Sequence, residues 1–204
     1  MCGGRGTRLR DGADGDASDG AGVGIEKPLV EICGRSMLAR VADALRESAL
    51  GGTVHAVVSP QAPETAARAR ELSLSVVETP GEGYVSDLGT ALDGVGRPAL
   101  TVPADLPLLA PEHVDDALLR ARTTEGESAD PDPTSLTVCV PAALKEQLGA
   151  SADTTFEHRG REVAPTGLNV VAGDADTVAL TYDARLAVNV NRPRDRALAE
   201  ALCG

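Results

Sequence analysis

Apolar residues along the chain follow two spacings, one typical of short buried strands and one typical of amphipathic helices. In the first predicted helix, for example, Met37, Leu38, Val41 and Leu45 share one stripe. Helices are predicted at 36–49, 63–72, 85–92, 111–122 and 193–202, and extended segments at 29–32, 54–58, 74–77, 99–102, 136–140, 168–171, 178–181 and 186–190.

This alternation predicts a Rossmann-like α/β fold, in which a mainly parallel sheet has helices on both faces. A chain of 204 residues suits one such domain, spanning residues 1–204. Residues 10–24 hold five glycines, four aspartates and three alanines, which predicts a mobile acidic insertion. The insertion could be a lid over a ligand, but a solvated loop is favoured because its carboxylates would repel phosphate.

The composition is acidic and poor in lysine. The net charge is −12 at pH 7, the sequence pI is about 4.6, and the 19 basic residues include only two lysines, Lys27 and Lys145. Such a surface is typical of a cytoplasmic protein from a high-salt organism such as a halophilic archaeon, where dense counterions screen self-repulsion. It argues against nucleic-acid binding, which needs a basic face.

Cysteines and histidines are too scattered to suggest a metal cluster. Cys2, Cys33, Cys139 and Cys203 form no Cys-x-x-Cys pair and are predicted to be free thiols in a reducing compartment. No apolar run is long enough to span a membrane and no secretory signal is visible, so a cytoplasmic location is expected.

A glycine-rich turn near the start is the strongest functional signal. Three of the four residues 3–6 are glycine, and Arg5, Arg8 and Lys27 add positive charge. Amides uncovered by side chains can approach a phosphate closely, and a following helix directs its dipole at the same anion. A nucleoside triphosphate site is therefore predicted at Gly3, Gly4, Arg5, Gly6, Thr7, Arg8 and Lys27, the alternative being a flexible loop that binds nothing.

Two better-known phosphate loops do not fit this turn. A P-loop needs Gly-Lys-Ser/Thr, and here Gly6 precedes Thr7 and Arg8. A dinucleotide fingerprint needs a third glycine three residues beyond Gly6, which is absent. Because the first strand of a doubly wound sheet lies near its middle, we also expect a buried strand before Gly3, and hence a natural protein that begins upstream of Met1.

Three later segments carry polar side chains at places where a ligand could bind. Asp105 follows an apolar strand, where a carboxylate suits Mg²⁺ or caps a turn. Asn189 and Asn191 alternate with valines and so share one face of a predicted strand. In the turn containing Glu82 and Gly83, Asp87 could accept hydrogen bonds from guanine or ribose, or could cap the helix that follows.

Taken in their order along the chain, these segments resemble those of the nucleotidyltransferase superfamily, and most closely those of the archaeal GTP:adenosylcobinamide-phosphate guanylyltransferases of cobalamin biosynthesis. The likeness spans nearly the whole chain, as one nucleotidyltransferase (GT-A-like) domain without its first central strand. The segments that carry it are 3–9 (Gly-Gly-Arg-Gly-Thr-Arg-Leu), 26–30 (Glu-Lys-Pro-Leu-Val), 81–88 (Gly-Glu-Gly-Tyr-Val-Ser-Asp-Leu), 102–109 (Val-Pro-Ala-Asp-Leu-Pro-Leu-Leu), 165–171 (Pro-Thr-Gly-Leu-Asn-Val-Val) and 189–191 (Asn-Val-Asn).

The resemblance implies that GTP and adenosylcobinamide phosphate give adenosylcobinamide-GDP and pyrophosphate, with Mg²⁺ as cofactor. It assigns Lys27, Arg8 and Asp105 to catalysis, with Lys27 on the α-phosphate. It also makes Asp105 the first metal ligand, Asn191 the second and Asn189 the next candidate. Glu82, Gly83 and Asp87 join the GTP-binding set.

On the acceptor side the resemblance implies Gly167 and Asn169, although Gly167 could equally mark a simple strand bulge. Other acceptors, molybdopterin or phospholactate, remain alternatives within the superfamily. A noncatalytic nucleotide-sensing module of the same fold is a third interpretation. A homodimer is left open, and no nucleic-acid partner is expected.

Overall fold

The structure, a computed structural model, describes residues 24–122, 133–173 and 176–203. Within these residues the strands lie in one short hairpin, one two-stranded parallel sheet and one five-stranded mixed sheet. In chain order the strands are β1 (Glu31–Ile32), β2 (Arg35–Ser36), β3 (His55–Val58), β4 (Ser75–Glu78), β5 (Ala99–Thr101), β6 (Ser135–Pro141), β7 (Phe156–His158), β8 (Arg161–Val171) and β9 (Asp176–Leu180). The helices are α1 (Met37–Glu47), α2 (Pro63–Glu71), α3 (Tyr84–Val95), α4 (Pro111–Arg122), α5 (Ala142–Leu148) and α6 (Pro193–Leu202), with 3₁₀ turns at Lys27–Leu29 and Ala184–Ala187.

The pairing of strands confirms an α/β fold but is more mixed than a mainly parallel sheet. Strands β3 and β4 are parallel. The larger sheet has the order β5-β8-β6-β9, with β7 also paired to β8. Within it only the β6–β9 pair is parallel, because β8 runs antiparallel to both β5 and β6. Strand direction depends on how connections cross the sheet, which apolar spacing along the chain does not specify.

One predicted strand, at 186–190, is wrong. Residues Ala184–Ala187 instead form a 3₁₀ turn, whose start is capped by the Asp183 side chain accepting from the Arg185 amide. Val188 and Val190 are fully buried while Asn189 and Asn191 are only partly buried, so the predicted alternation of faces survives without a ladder of strand hydrogen bonds. Helix α5 and strand β7 were not predicted, and only the last part of β8 was.

The main core lies between α1 and α4 on one side and the larger sheet on the other. Val41 of α1, Val114 and Ala117 of α4, and Val140 and Leu168 of the sheet are buried together. Two proline-started helices, α4 and α6, begin and end at the predicted residues. This core fixes β5, and so the turn after β5, against its neighbours.

An apolar cleft of about 370 Å³ separates β3 from β5, although interiors of this kind are normally close-packed. Its walls include His55–Val57 from one sheet and Ala99–Val102 from the other. Within the described residues, His55 Nδ1 and Thr101 Oγ1 are buried side-chain atoms without a hydrogen-bond partner. The cleft lies where a strand could join the two sheets, and the strand expected before Gly3 stays a prediction.

The cysteines correct one expectation. Cys33 and Cys203, 170 residues apart, are joined in a disulfide with their Cα atoms 6.8 Å from each other, so they are not free thiols. Cys139 is a free, buried thiol, and burial raises its pKa to about 11. Cys2 lies outside the described residues. Sequence separation hid the pair, since the fold alone brings the two segments together.

No helix within residues 24–122, 133–173 and 176–203 combines the length and apolar character that crossing a bilayer requires. In the same part of the chain, no group of three or more His, Cys, Asp and Glu side chains is arranged to hold a metal ion.

Candidate functional site

Lys27, Asp105, Asn189 and Asn191 converge from three distant parts of the chain at the end of β5. Lys27 Nζ lies 2.5 Å from Asp105 Oδ2 and donates to Asn191 Oδ1 at 2.7 Å. Asn189 Nδ2 donates to Asp105 Oδ1 at 3.2 Å. The side chains of Lys27 and Asp105 are 14% and 20% exposed, so they are reachable from solvent but shielded enough for their charges to interact strongly.

Lys27 is held in place by its neighbours in the 3₁₀ turn Lys27–Leu29. Pro28 is buried, which fixes the turn to the protein. Before it, the Glu26 carboxylate accepts from the Glu64 amide at 3.0 Å and the Thr65 amide at 2.7 Å, at the N-terminus of α2. A carboxylate is favourable there because the first amides of a helix lack partners within the helix, and because the positive end of the helix dipole lies at the N-terminus.

Asp105 lies in the turn after β5 and is tied to the segment that carries the asparagines. Its backbone oxygen accepts from the Val190 amide at 2.9 Å. Both carboxylate oxygens are used, Oδ2 by Lys27 and Oδ1 by Asn189. The predicted convergence of Asp105 with Asn189 and Asn191 is therefore present in the structure.

The two asparagine amides are oriented in opposite ways. A lysine ammonium can only donate, so the atom facing Lys27 must be the Asn191 oxygen. In Asn189 the oxygen faces Lys145, at 3.1 Å, and the nitrogen faces both Asp105 and the Thr166 carbonyl. An amide NH₂ cannot ligate a cation, so in this arrangement Asn191, and not Asn189, presents an oxygen beside Asp105, and the metal-binding role of both stays a prediction.

The Asp105 and Asn191 oxygens fit a divalent cation. Both converge on one positive group, the Lys27 ammonium, from distances of 2.5 and 2.7 Å. Carboxylate and amide oxygens are the hard ligands that Mg²⁺ takes, usually one or two per protein site with phosphate and water completing the shell. The residues present are therefore compatible with a magnesium ion.

Asp195 holds the backbone around Asn191 through hydrogen bonds. It is fully buried and accepts from the amides of Asn191 and Arg192 at 3.0 and 2.8 Å. It also accepts from the Ser151 amide and hydroxyl, both at 2.8 Å. Four donors on one buried carboxylate hold the segment around Asn191 rigidly. This support was not predicted, because Ser151 is distant from Asp195 in sequence.

The glycine turn before α3 lies beside the same site. Tyr84, the first residue of α3, is half-exposed, and its pKa is raised by burial of the hydroxyl and by the negative charge of Asp105. Asp87 is buried, and its Oδ1 accepts from the Gly81 amide at 2.9 Å, which closes the turn on itself. Glu82 is exposed, and Gly83 has φ +127°, a conformation that favours glycine.

Gly167 and Asn169 lie on β8, next to the segment that leads to Asp105. Gly167 has φ +89°, and a Cβ at this position would lie 2.6 Å from Pro103 Cγ. The β6–β8 register shifts between Thr137 and Cys139, opposite Gly167, so the bulge reading of this glycine is confirmed. Asn169 Nδ2 donates to the Gly167 carbonyl at 3.0 Å, and the acceptor-side role of both residues stays a prediction.

Replacing Gly167 with alanine is expected to destabilise the fold by about 1–3 kcal/mol, the usual cost of a side chain held in a disfavoured backbone region. The added methyl group would also push Pro103, two residues before Asp105. Urea unfolding measures the loss. Gly94→Ala, in open space on α3, is the matched control and should not destabilise. Equal stability of Gly167→Ala and the unchanged protein would contradict the crowding at Pro103.

The predicted phosphate turn, Gly3, Gly4, Arg5, Gly6, Thr7 and Arg8, lies outside the described residues, as do residues 10–23 of the predicted insertion. Of the predicted GTP-binding residues that the structure describes, Lys27 contacts Asp105. Gly83 is followed by Tyr84, whose pKa the negative charge of Asp105 helps to raise. Glu26, Lys145, Ser151 and Asp195 are the supporting residues that sequence reasoning missed.

The chain is similar to several known proteins. Over 215 residues, covering 99% of this chain and 94% of the relative, the sequence is 28% identical to adenosylcobinamide-phosphate guanylyltransferase of Methanocaldococcus jannaschii. Among solved structures, a CMP:2-keto-3-deoxy-manno-octonic acid synthetase complexed with CTP has a TM-score of 0.54 at 16% identity, over 72% of this chain and 67% of that one. It supports the fold alone.

A hypothetical transferase from Thermus thermophilus also matches, with a TM-score of 0.49 and 22% identity, over 72% of this chain and 56% of that one. Residues 1–163 match the MobA-like NTP transferase domain, which is most of the 204-residue chain. The protein is therefore a nucleotidyltransferase that belongs to the MobA-like NTP transferase family.

Proposed function

We propose that this protein transfers GMP from GTP to adenosylcobinamide phosphate, giving adenosylcobinamide-GDP and pyrophosphate. The name of the archaeal relative, matched over nearly the full length of both chains, supports this acceptor. The proposed setting is the cytoplasm of a high-salt organism, because the net charge of −12 needs screening.

The observation that carries the proposal is the cluster of Lys27, Asp105 and Asn191. In the reaction an oxygen of the acceptor phosphate attacks the α-phosphorus of GTP, and the bond from that phosphorus to the β-phosphate oxygen breaks. The attacking phosphate is largely dianionic near neutral pH, so it needs no general base. The main barrier is repulsion between two anions, which positioned cations reduce.

Within this centre each residue has a distinct part. Lys27 Nζ would leave Asp105 for the α-phosphate and stabilise the charge that develops there. Asp105 and Asn191 would hold a magnesium ion, whose charge, when bound, offsets that of the phosphate oxygens. The amides of Gly4 and Gly6, with Arg8, would hold the phosphates that leave as pyrophosphate. Gly83 and its neighbours would lie beside the nucleoside.

An acceptor assay tests the proposed substrate. The protein is incubated with GTP and Mg²⁺ at high KCl, and pyrophosphate release is measured with adenosylcobinamide phosphate, molybdopterin or phospholactate. We expect release with the first acceptor only. Release with another acceptor would assign the protein to a different cofactor guanylyltransferase. GTP binding without release by any acceptor would favour the noncatalytic nucleotide-sensing module.

A further inference from the structure

Lys145 is a buried lysine whose ammonium group contacts Asn189 of the candidate site. It lies on α5, is only 3% exposed, and is one of two lysines in a chain that carries 17 arginines. Its Nζ donates to Asn189 Oδ1 at 3.1 Å and to the Ser151 carbonyl at 3.4 Å. The other lysine, Lys27, contacts Asp105 directly, so both lysines of the chain belong to one network.

Hydrogen bonds to three groups fix one orientation of the Asn189 amide. Two acceptors, Asp105 Oδ1 and the Thr166 carbonyl, face its nitrogen at 3.2 and 2.9 Å. One donor, Lys145, faces its oxygen. Without that donor the oxygen would lose its partner inside the protein, and the amide could rotate or swing away from Asp105.

We propose that Lys145 is a positioning residue for the transfer centre, acting through Asn189. By binding the Asn189 oxygen, it keeps the amide nitrogen on Asp105 Oδ1. Asp105 Oδ2 is then left facing the position between Asp105 and Asn191 that Lys27 Nζ occupies. Lys145 touches neither nucleotide nor metal in this account. The inference rests on the proposed function, since it assigns Lys145 to the site that performs the transfer.

The same lysine connects the supports of both asparagines. It binds the Ser151 carbonyl, while the Ser151 amide and hydroxyl bind Asp195. Asp195 in turn holds the Asn191 amide at 3.0 Å. Asp195 keeps its four donors without Lys145, so removal of Lys145 would act on Asn189 and leave the support of Asn191 in place.

The test compares Lys145→Met with Glu146→Met, a matched control on an exposed neighbour in the same helix. We expect Lys145→Met to lower kcat by about 10- to 100-fold, the usual effect of removing an outer hydrogen-bond partner behind a ligating residue, here Asp105, which Lys145 reaches through Asn189. The KM for GTP should change much less, because the phosphate-binding residues are untouched. Glu146→Met should keep the kcat of the unchanged protein.

Two further measurements separate positioning from a general structural role. In a double-mutant cycle, Lys145→Met added to Asn189→Ala should cause no further loss of kcat, because Lys145 acts through Asn189. NMR of the Asn189 side-chain amide, without nucleotide, should show its hydrogen-bonded shift in the unchanged protein and lose it in Lys145→Met. If Lys145→Met does not fold, Lys145→Gln, which keeps a donor, replaces it and should retain most of the activity and the amide shift.

An active, folded Lys145→Met variant with an unchanged Asn189 amide signal would overturn the inference. So would kcat losses that multiply in the double variant, and so would a Lys145→Gln variant that folds but loses activity as the Met variant should. Failure of the unchanged protein to release pyrophosphate with any acceptor would instead count against the proposed function. The NMR readout tests the positioning contact in either case.

Discussion

Lys27→Met is expected to reduce kcat by about 10²–10³-fold, the usual loss when one group that stabilises developing charge is removed. Lys27 Nζ is the cation that contacts both Asp105 and Asn191, and methionine keeps the stem without the charge. The loss should appear in kcat more than in the KM for GTP, because the charge matters most as the α-phosphate bond breaks. Steady-state pyrophosphate release measures both constants.

Lys27→Arg is the companion variant. Arginine keeps the charge but spreads it over a planar fork, which does not match a compact ammonium between two oxygens. It should therefore remain well below the activity of the unchanged protein. Thermal unfolding of both variants is the control, since the Lys27 side chain is 14% exposed and not part of the apolar core. A variant that unfolds would show that Lys27 is structural, and one with full kcat would exclude it from the reaction.

Asp105→Asn is expected to lower activity by about 10²-fold or more, the usual loss when one electrostatic contribution to the transition state is removed, and most strongly at low magnesium. Asparagine keeps the size of the side chain but removes the negative charge that would hold the metal ion. Titration of activity against Mg²⁺ measures the change, and GTP should still bind, more weakly. Asp93→Asn, at an exposed position on α3, is the matched control and should keep the magnesium dependence of the unchanged protein.

Full activity of Asp105→Asn at low magnesium would show that the metal assignment is wrong. A second outcome is also informative. If the variant loses activity that added magnesium does not restore, and calorimetry shows GTP affinity unchanged, Asp105 acts on Lys27 and not on a metal. The 2.5 Å contact between these side chains makes that the alternative to be separated.

Parts of the site could be predicted because they follow from local patterns. Asp105 follows a short apolar strand, and the alternation of Asn189 and Asn191 with buried valines puts both amides on one side of the chain. Pro111 and Pro193 gave the first residues of α4 and α6. In each case the signal lies within a few residues of the feature that it predicts.

The remaining features depend on contacts between distant segments. Lys145 lies 44 residues from Asn189, and Glu26 lies 38 and 39 residues from the amides that it binds. The orientation of the Asn189 amide is set by such partners, which the alternation of residues along the chain does not reveal. The same reason explains the missed disulfide and the mixed sheet, because neither spacing nor apolar pattern records which segments the fold brings together.

The most direct test of the account is a crystal structure of the protein with GTP and Mn²⁺ as a substitute for Mg²⁺. Anomalous scattering would locate the metal, and the electron density would locate the α-phosphate. We expect the metal within bonding distance of Asp105 and Asn191 oxygens, and Lys27 Nζ on the α-phosphate. A guanine nucleotide bound away from Lys27 and Asp105 would contradict the account.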